Sequence, residues 1–370
     1  MRSTIAEIDL SAIRDNLRSI RSYNSGIPIV AIVKANAYGH GIIEISRVLR
    51  SQNVRFLGVA FAEEAAALRD SGDNGDIMLI VPPTAFDAEL VVRHRLHIAA
   101  ADCSALEAIS ARAADENIKI PAHIFIDTGM HRDGIHPDEA SDFCAFAKSL
   151  PGIYIAGVMT HFATADSPDR AFALGQLAVF NRTVAALRAG GYEFEFVHAC
   201  NSAGMINFPE AWFNLIRPGI SLYGMLPDPA LHGKIELRPA LRLVSRVIKT
   251  KSVQPGETVG YSMKFVAESP TRIAVVPIGY GDGYFRALTN KAQCIIKGCS
   301  YNLIGSVCMD QLMVDIGDGD VEVGDEVVLI GTGGGESVTA NDLAGLVDTI
   351  PYEITTSILQ RTPRRYINAE

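Results

Sequence analysis

Between about residues 28 and 220, short runs of apolar, often β-branched residues alternate with longer segments whose apolar positions recur at helical spacing. The runs PIVAIV, RFLGVA, IMLIV, LHIAA, IPAHIFI, IYIAGVM, FEFVHA and FNLIR have the near-continuous apolar character of strands buried on both faces. Between them AEEAAALRDSG, CSALEAISARAADEN, DEASDFCAFAKSL and AFALGQLAVFNRTVAALRAGG read as helices, each with Gly, Pro or Asn near its end. Repeated strand–helix units build a parallel sheet, and about eight of them predict an α/β fold, a closed (β/α)8 barrel of the TIM type.

Past about residue 235 the pattern changes to strands separated by QPGE, GDGD, EVGD and GTGGGES, with only ANDLAGLVDTI reading as a helix. The chain therefore divides into a barrel over residues 1–235 and a mostly β domain over 236–370, in keeping with a length of 370 residues. GTGGGES lacks the strand–turn–helix setting of a phosphate loop and reads as a turn. DSPDR and DIGDGD have no EF-hand spacing and read as solvated loops.

A net charge of -9 and a pI near 5.5, without a block of like charge, argue against a nucleic-acid partner. Charges break up the first 20 residues, and nothing approaches the roughly 18 apolar residues of a membrane span, so a cytoplasmic protein is expected. Six cysteines without C-x-x-C spacing predict reduced thiols and no metal site.

Candidate chemistry begins in PIVAIVKANAYGHG, residues 28–41, where an apolar strand ends on Lys34. A lysine at the boundary of a dry core has its ammonium disfavoured, as a Schiff-base lysine requires. An isolated lysine here would simply leave the strand for water; Asn36, Tyr38, Gly39 and His40 in the same loop add hydrogen-bond donors and close backbone approach. In a barrel the active site lies at the C-terminal strand ends. Asp127 to Arg132, His161, Asn201–Ser202 and Arg217–Ile220 all fall there. Singly, His161 could be a core histidine, Ser202 a helix cap and Arg217 a surface charge; their convergence on one barrel end argues otherwise.

AIVKANAYGHG and RPGISLYG closely resemble the motifs of alanine racemases, the pyridoxal-phosphate enzymes of barrel-plus-β-domain type, and the likeness extends over nearly the whole chain. The resemblance implies that Lys34 carries pyridoxal 5′-phosphate, that Tyr38, Asn201, Ser202, Gly219, Ile220 and Tyr352 surround it, and that Arg217, backed by His161, faces its ring nitrogen. It also implies Tyr261, in VGYSMKF, as the second catalytic base, entering from the other subunit of a homodimer, with Arg132 and the Met309 backbone binding substrate. Two bases on opposite faces suit removal and return of a Cα proton. By the same likeness a first strand at about 3–10 pairs with the C-terminal domain, Tyr280 and Tyr284 lie at the site entrance, and the product is D-alanine for peptidoglycan.

Phe125 departs from the pattern: many members carry there a carbamylated lysine that braces the neighbouring arginine. Strand alternation points His123, Phe125 and Asp127 into the barrel, so Arg132 is expected as a buried guanidinium whose brace passes to Asp133 or a bound anion. Ser306 stands where some members place an arginine near the entrance, leaving substrate breadth open. The rival readings are a racemase for serine or a broader range of amino acids, a barrel decarboxylase, disfavoured by Arg217, and a non-catalytic pyridoxal-phosphate carrier, which would have no use for Tyr261 and Met309.

Overall fold

The computed structural model describes residues 3–369. Strand β1 (Ile5–Asp9) leads into a helix over Leu10–Tyr23 that buries Leu10, Ile13, Leu17 and Ile20 and is capped by the Asp9 carboxylate on the Ser11 and Ala12 amides. Seven strands then pair in parallel and in sequence order: β2 (Val30–Ile32), β3 (Phe56–Val59), β4 (Asp76–Leu79), β5 (His97–Ala100), β6 (Ile120–Phe125), β7 (Ile153–Met159) and β8 (Phe196–His198). The eighth run is shorter than its apolar pattern suggests. It pairs through Ile216, whose amide donates to the Pro28 carbonyl, while the Val30 and Ile32 amides donate to Ile216 and Pro218. On its other side the Arg217 amide donates to Cys200, and the barrel closes.

The helices predicted from spacing appear at Ala62–Asp70, Cys103–Asp115, Ala140–Ser149 and Ala171–Ala189. A further helix at Ile42–Ser51 has no side-chain cap at Gly41 to announce it.

Beyond the barrel lies a ten-stranded sheet that includes β1. β1 lies antiparallel to Leu241–Arg246 and parallel to Arg364–Ile367, and its Glu7 carboxylate bridges Arg242 and Arg365. GTGGGES forms the turn joining Glu326–Gly333 to Glu336–Val338, and a second short helix, Pro351–Thr356, follows Ala340–Leu346. Tyr284, expected at the site entrance, is buried in this domain's core, and Ser306 is also buried, its hydroxyl donating to the Tyr261 carbonyl (2.9 Å). Among the described residues no helix is long and apolar enough to cross a membrane, no cluster could hold a metal ion, and the six cysteines are unbridged.

Candidate active site

A cavity of about 520 Å³ opens at the C-terminal ends of the barrel strands. Lys34 and Tyr38 reach it from the turn after β2, Arg132 from the loop after β6, His161 from that after β7, and Asn201 and Ser202 from that after β8. The closing segment contributes Arg217, Gly219 and Ile220, and the helix Pro351–Thr356 contributes Tyr352. Ten residues singled out along the sequence therefore share one cavity.

The turn that carries Lys34 has an uncommon backbone. Ala35, Asn36, Ala37 and Tyr38 all have φ of 52–54°, one left-handed helical turn that costs L-residues roughly 1–2 kcal/mol each. Tertiary bonds hold it: the Ala35 amide donates to Glu64 Oε1 (2.6 Å), Asn36 Oδ1 accepts from the Ile42 amide (2.9 Å), and the Tyr38 ring stacks on Tyr223 at 4.9 Å. Gly39 follows at φ 86°, where a Cβ would run into the Thr355 carbonyl. The reversal presents Lys34 and Tyr38 to the same cavity. Glu64 was not legible as a site residue, because its neighbours in sequence only mark it as the first turn of a helix.

Burial lowers the pKa of Lys34; the nearby Arg132 charge adds to that, while Glu64 and Asp133 oppose it. Burial raises the Tyr38 and Tyr352 phenols, so both stay protonated donors. Ser202 Oγ accepts from the Gly219 amide (2.9 Å) and the Ser221 amide (3.4 Å), and a Cβ on Gly219 would collide with the Tyr38 hydroxyl. The helix cap here is Asn201, which accepts from the Gly204 amide (2.8 Å), leaving Ser202 to the cavity.

Arg217 is buried, and burial pulls it down to about 10, still charged at neutral pH. It donates to His198 Nδ1 (2.7 Å), the Thr160 carbonyl (2.7 Å), the Ala199 carbonyl (3.0 Å) and His161 Nδ1 (3.2 Å). All four acceptors are neutral: burial, followed by the Arg217 charge, holds His161 and His198 well below the usual imidazole range. His198 was missed along the sequence; the signal was its place at the end of the FEFVHA strand, one residue after which the chain turns to the cavity.

Phe125 is buried against Ala99 and Met159 and lines the cavity, as alternation requires. Arg132 is not buried. Its side chain is 54% exposed, and its Nε donates to Asp133 Oδ2 at 2.8 Å. The expected desolvation cost therefore does not arise, and the neighbouring carboxylate suffices as its partner. Tyr261 and Met309 do not line this cavity. Both stand on the β domain, 72% and 52% exposed, Tyr261 in a turn where Ser262 and Met263 have positive φ.

A parallel barrel with a desolvated lysine, a buried guanidinium and a hydroxyl-and-amide cradle around one cavity, followed by a β domain, defines a lysine-centred barrel enzyme. Comparison with known proteins narrows that class. The family models for the alanine racemase N-terminal and C-terminal domains match residues 8–227 and 240–366. The alanine racemase of Desulfovibrio desulfuricans is 38% identical over 370 residues, covering 99% of this chain and 98% of that one. That of Halothermothrix orenii is 38% identical over 99% of this chain and 97% of its own length. Among solved structures, alanine racemase from D-cycloserine-producing Streptomyces lavendulae superposes with a TM-score of 0.95 at 33% identity, covering 100% of this chain and 98% of that chain. The chain belongs to the alanine racemase family, and it is an enzyme of the isomerase class.

Proposed function

We propose that the protein interconverts L-alanine and D-alanine with pyridoxal 5′-phosphate bound at Lys34, in the cytoplasm, supplying D-alanine for peptidoglycan. The observation that carries this reading is the convergence of Lys34 and Arg217 on one cavity beside a cradle of Tyr38, Ser202, Gly219 and Tyr352. These residues fit the cofactor: protonated phenols, a serine hydroxyl and main-chain amides suit a phosphate dianion, and Gly219, having no Cβ, lets the Tyr38 hydroxyl come close to the cradle.

When bound, pyridoxal phosphate supplies the electron sink that acidifies the Cα–H bond of the attached amino acid. Arg217 would face the ring nitrogen as a cation that does not yield its proton, which would keep that nitrogen unprotonated and restrain the sink. His161 backs Arg217. Lys34 Nζ, its ammonium disfavoured by burial, takes or returns the proton on one face. Tyr261 of the partner subunit serves the other face of a homodimer site, and its 72% exposure within one chain is in keeping with that. Arg132, oriented by Asp133, and the Met309 backbone bind the substrate end, and we take 1–235 and 236–370 as the two functional units.

The test is solvent deuterium exchange at Cα of L-alanine with D-alanine formation followed in parallel, L-serine, L-lysine and L-arginine serving as competitors. Exchange with D-alanine is expected; cofactor binding without exchange would leave only a carrier. Mixing Lys34→Ala and Tyr261→Phe subunits should restore about a quarter of wild-type turnover, since half the dimers are mixed and each has one intact site. No recovery would remove the shared site.

A further inference from the structure

Behind Arg217 a hydrogen-bonded line of imidazoles crosses the barrel interior. Arg217 Nη1 bonds His198 Nδ1 at 2.7 Å, His198 Nε2 bonds His123 Nδ1 at 2.9 Å, and His123 Nε2 bonds His97 Nδ1 at 3.1 Å. Arginine has no acceptor, so it fixes every direction in the line. His198 Nδ1 must accept, its Nε2–H must donate to His123 Nδ1, and the His123 Nε2–H must donate to His97 Nδ1. Each ring is thus held as the neutral Nε2–H tautomer.

The fold makes room for this line. His97 opens β5, His123 lies within β6 and His198 ends β8, so the bond from His123 to His198 passes over β7. At that crossing β7 has Gly157, where a Cβ would lie 2.6 Å from His123 Nδ1. The β6–β7 pairing also slips there, from Ala122↔Ile155 to His123↔Gly157, which brings the glycine opposite the histidine. His123 lies against Phe196 (5.6 Å between ring centres), and Phe56 meets the edge of His97 (5.1 Å).

We propose that His123 and His97 are positioning residues for Arg217, acting through His198 by anchoring its ring, with Gly157 as the window that lets the line cross β7. The effect on turnover rests on Arg217 serving the cofactor as argued above; the tautomer pattern does not. Without His123, the His198 Nε2–H is an orphaned buried donor while Arg217 still holds Nδ1 as an acceptor, and the ring loses the bond that fixes its plane toward Arg217.

The test is ¹⁵N spectroscopy of histidine-labelled holoenzyme. Wild type should show His97, His123 and His198 as neutral Nε2–H rings, and an Nδ1–H or protonated His123 or His198 overturns the proposal. His123→Leu should leave His198 as the Nε2–H tautomer but shift its Nε2–H signal to that of an unbonded donor, and lower kcat about tenfold with KM within about threefold, the size of one unpaired buried donor. His123→Gln, which keeps one acceptor and one donor, should recover to within about threefold. Gly157→Ala should reproduce the His123→Leu signature without removing a histidine, so the proposal stays testable if His123→Leu fails to fold. Unchanged kcat in both His123→Leu and Gly157→Ala overturns it. Should wild type not racemise alanine, the functional reading fails while the tautomer measurement still decides the line.

Discussion

Ala35→Gly, in the turn after β2, should stabilise the protein, against the usual effect of glycine. Ala35 has φ 52° and ψ 51° and is exposed, so the substitution removes almost no buried surface. A left-handed residue with a Cβ costs roughly 1–2 kcal/mol, which glycine does not incur. Against this, glycine adds unfolded-chain freedom worth about 0.4–1 kcal/mol. The net gain is about 0.5–1 kcal/mol. The control is Ala67→Gly, an exposed alanine within the right-handed helix Ala62–Asp70, where the same exchange should cost about 0.5–1 kcal/mol. Urea denaturation of both variants in one cofactor-loading state should move the midpoints in opposite directions. Loss of stability in both, by similar amounts, would refute the claim that this turn stores backbone strain.

Three further outcomes follow from packing and charge. Gly39→Ala places a Cβ against the Thr355 carbonyl at φ 86° and should lose about 2–4 kcal/mol, read as a lowered denaturation midpoint; a shift under about 0.5 kcal/mol would mean the Thr355 segment yields freely. His97, His123, His161 and His198 are held below their unfolded values by burial, His97 at about 4. Below pH ~6.5 the unfolded chain therefore binds more protons, and stability should fall as pH drops toward the folded values, by about 1.4 kcal/mol per pH unit for each ring. A denaturation midpoint that stays flat between pH 7 and 5 would contradict that burial. Asp133→Asn removes the charged partner of a half-exposed Arg132 and should raise KM roughly three- to tenfold with stability changed by less than about 1 kcal/mol; an unchanged KM would show that Arg132 needs no orienting carboxylate.

The barrel was legible because its strands are buried on both faces and so appear as apolar runs, while the site residues sit at the run ends, where polar side chains interrupt them. The closing segment was legible as a run yet is reduced to pairing around Ile216 between Pro28 and Pro218, since the main-chain bonds on either side are made by its ends. Tyr284 and Ser306 were expected near the entrance only through the family likeness; both are buried, because a matching position in a loop does not say which way its side chain faces.

By itself the sequence determined that this chain is a barrel followed by a β domain, and that lysine, arginine, histidine, serine and tyrosine cluster at one barrel end. Only the tertiary structure decided the left-handed turn after Lys34, the exposure of Arg132 beside Asp133, and the meeting of His97, His123 and His198 across β7. Period and spacing along a chain fix which face a side chain takes. Lateral neighbours depend on strand register and closure, and a disfavoured backbone persists only where bonds from distant residues, such as Glu64, hold it.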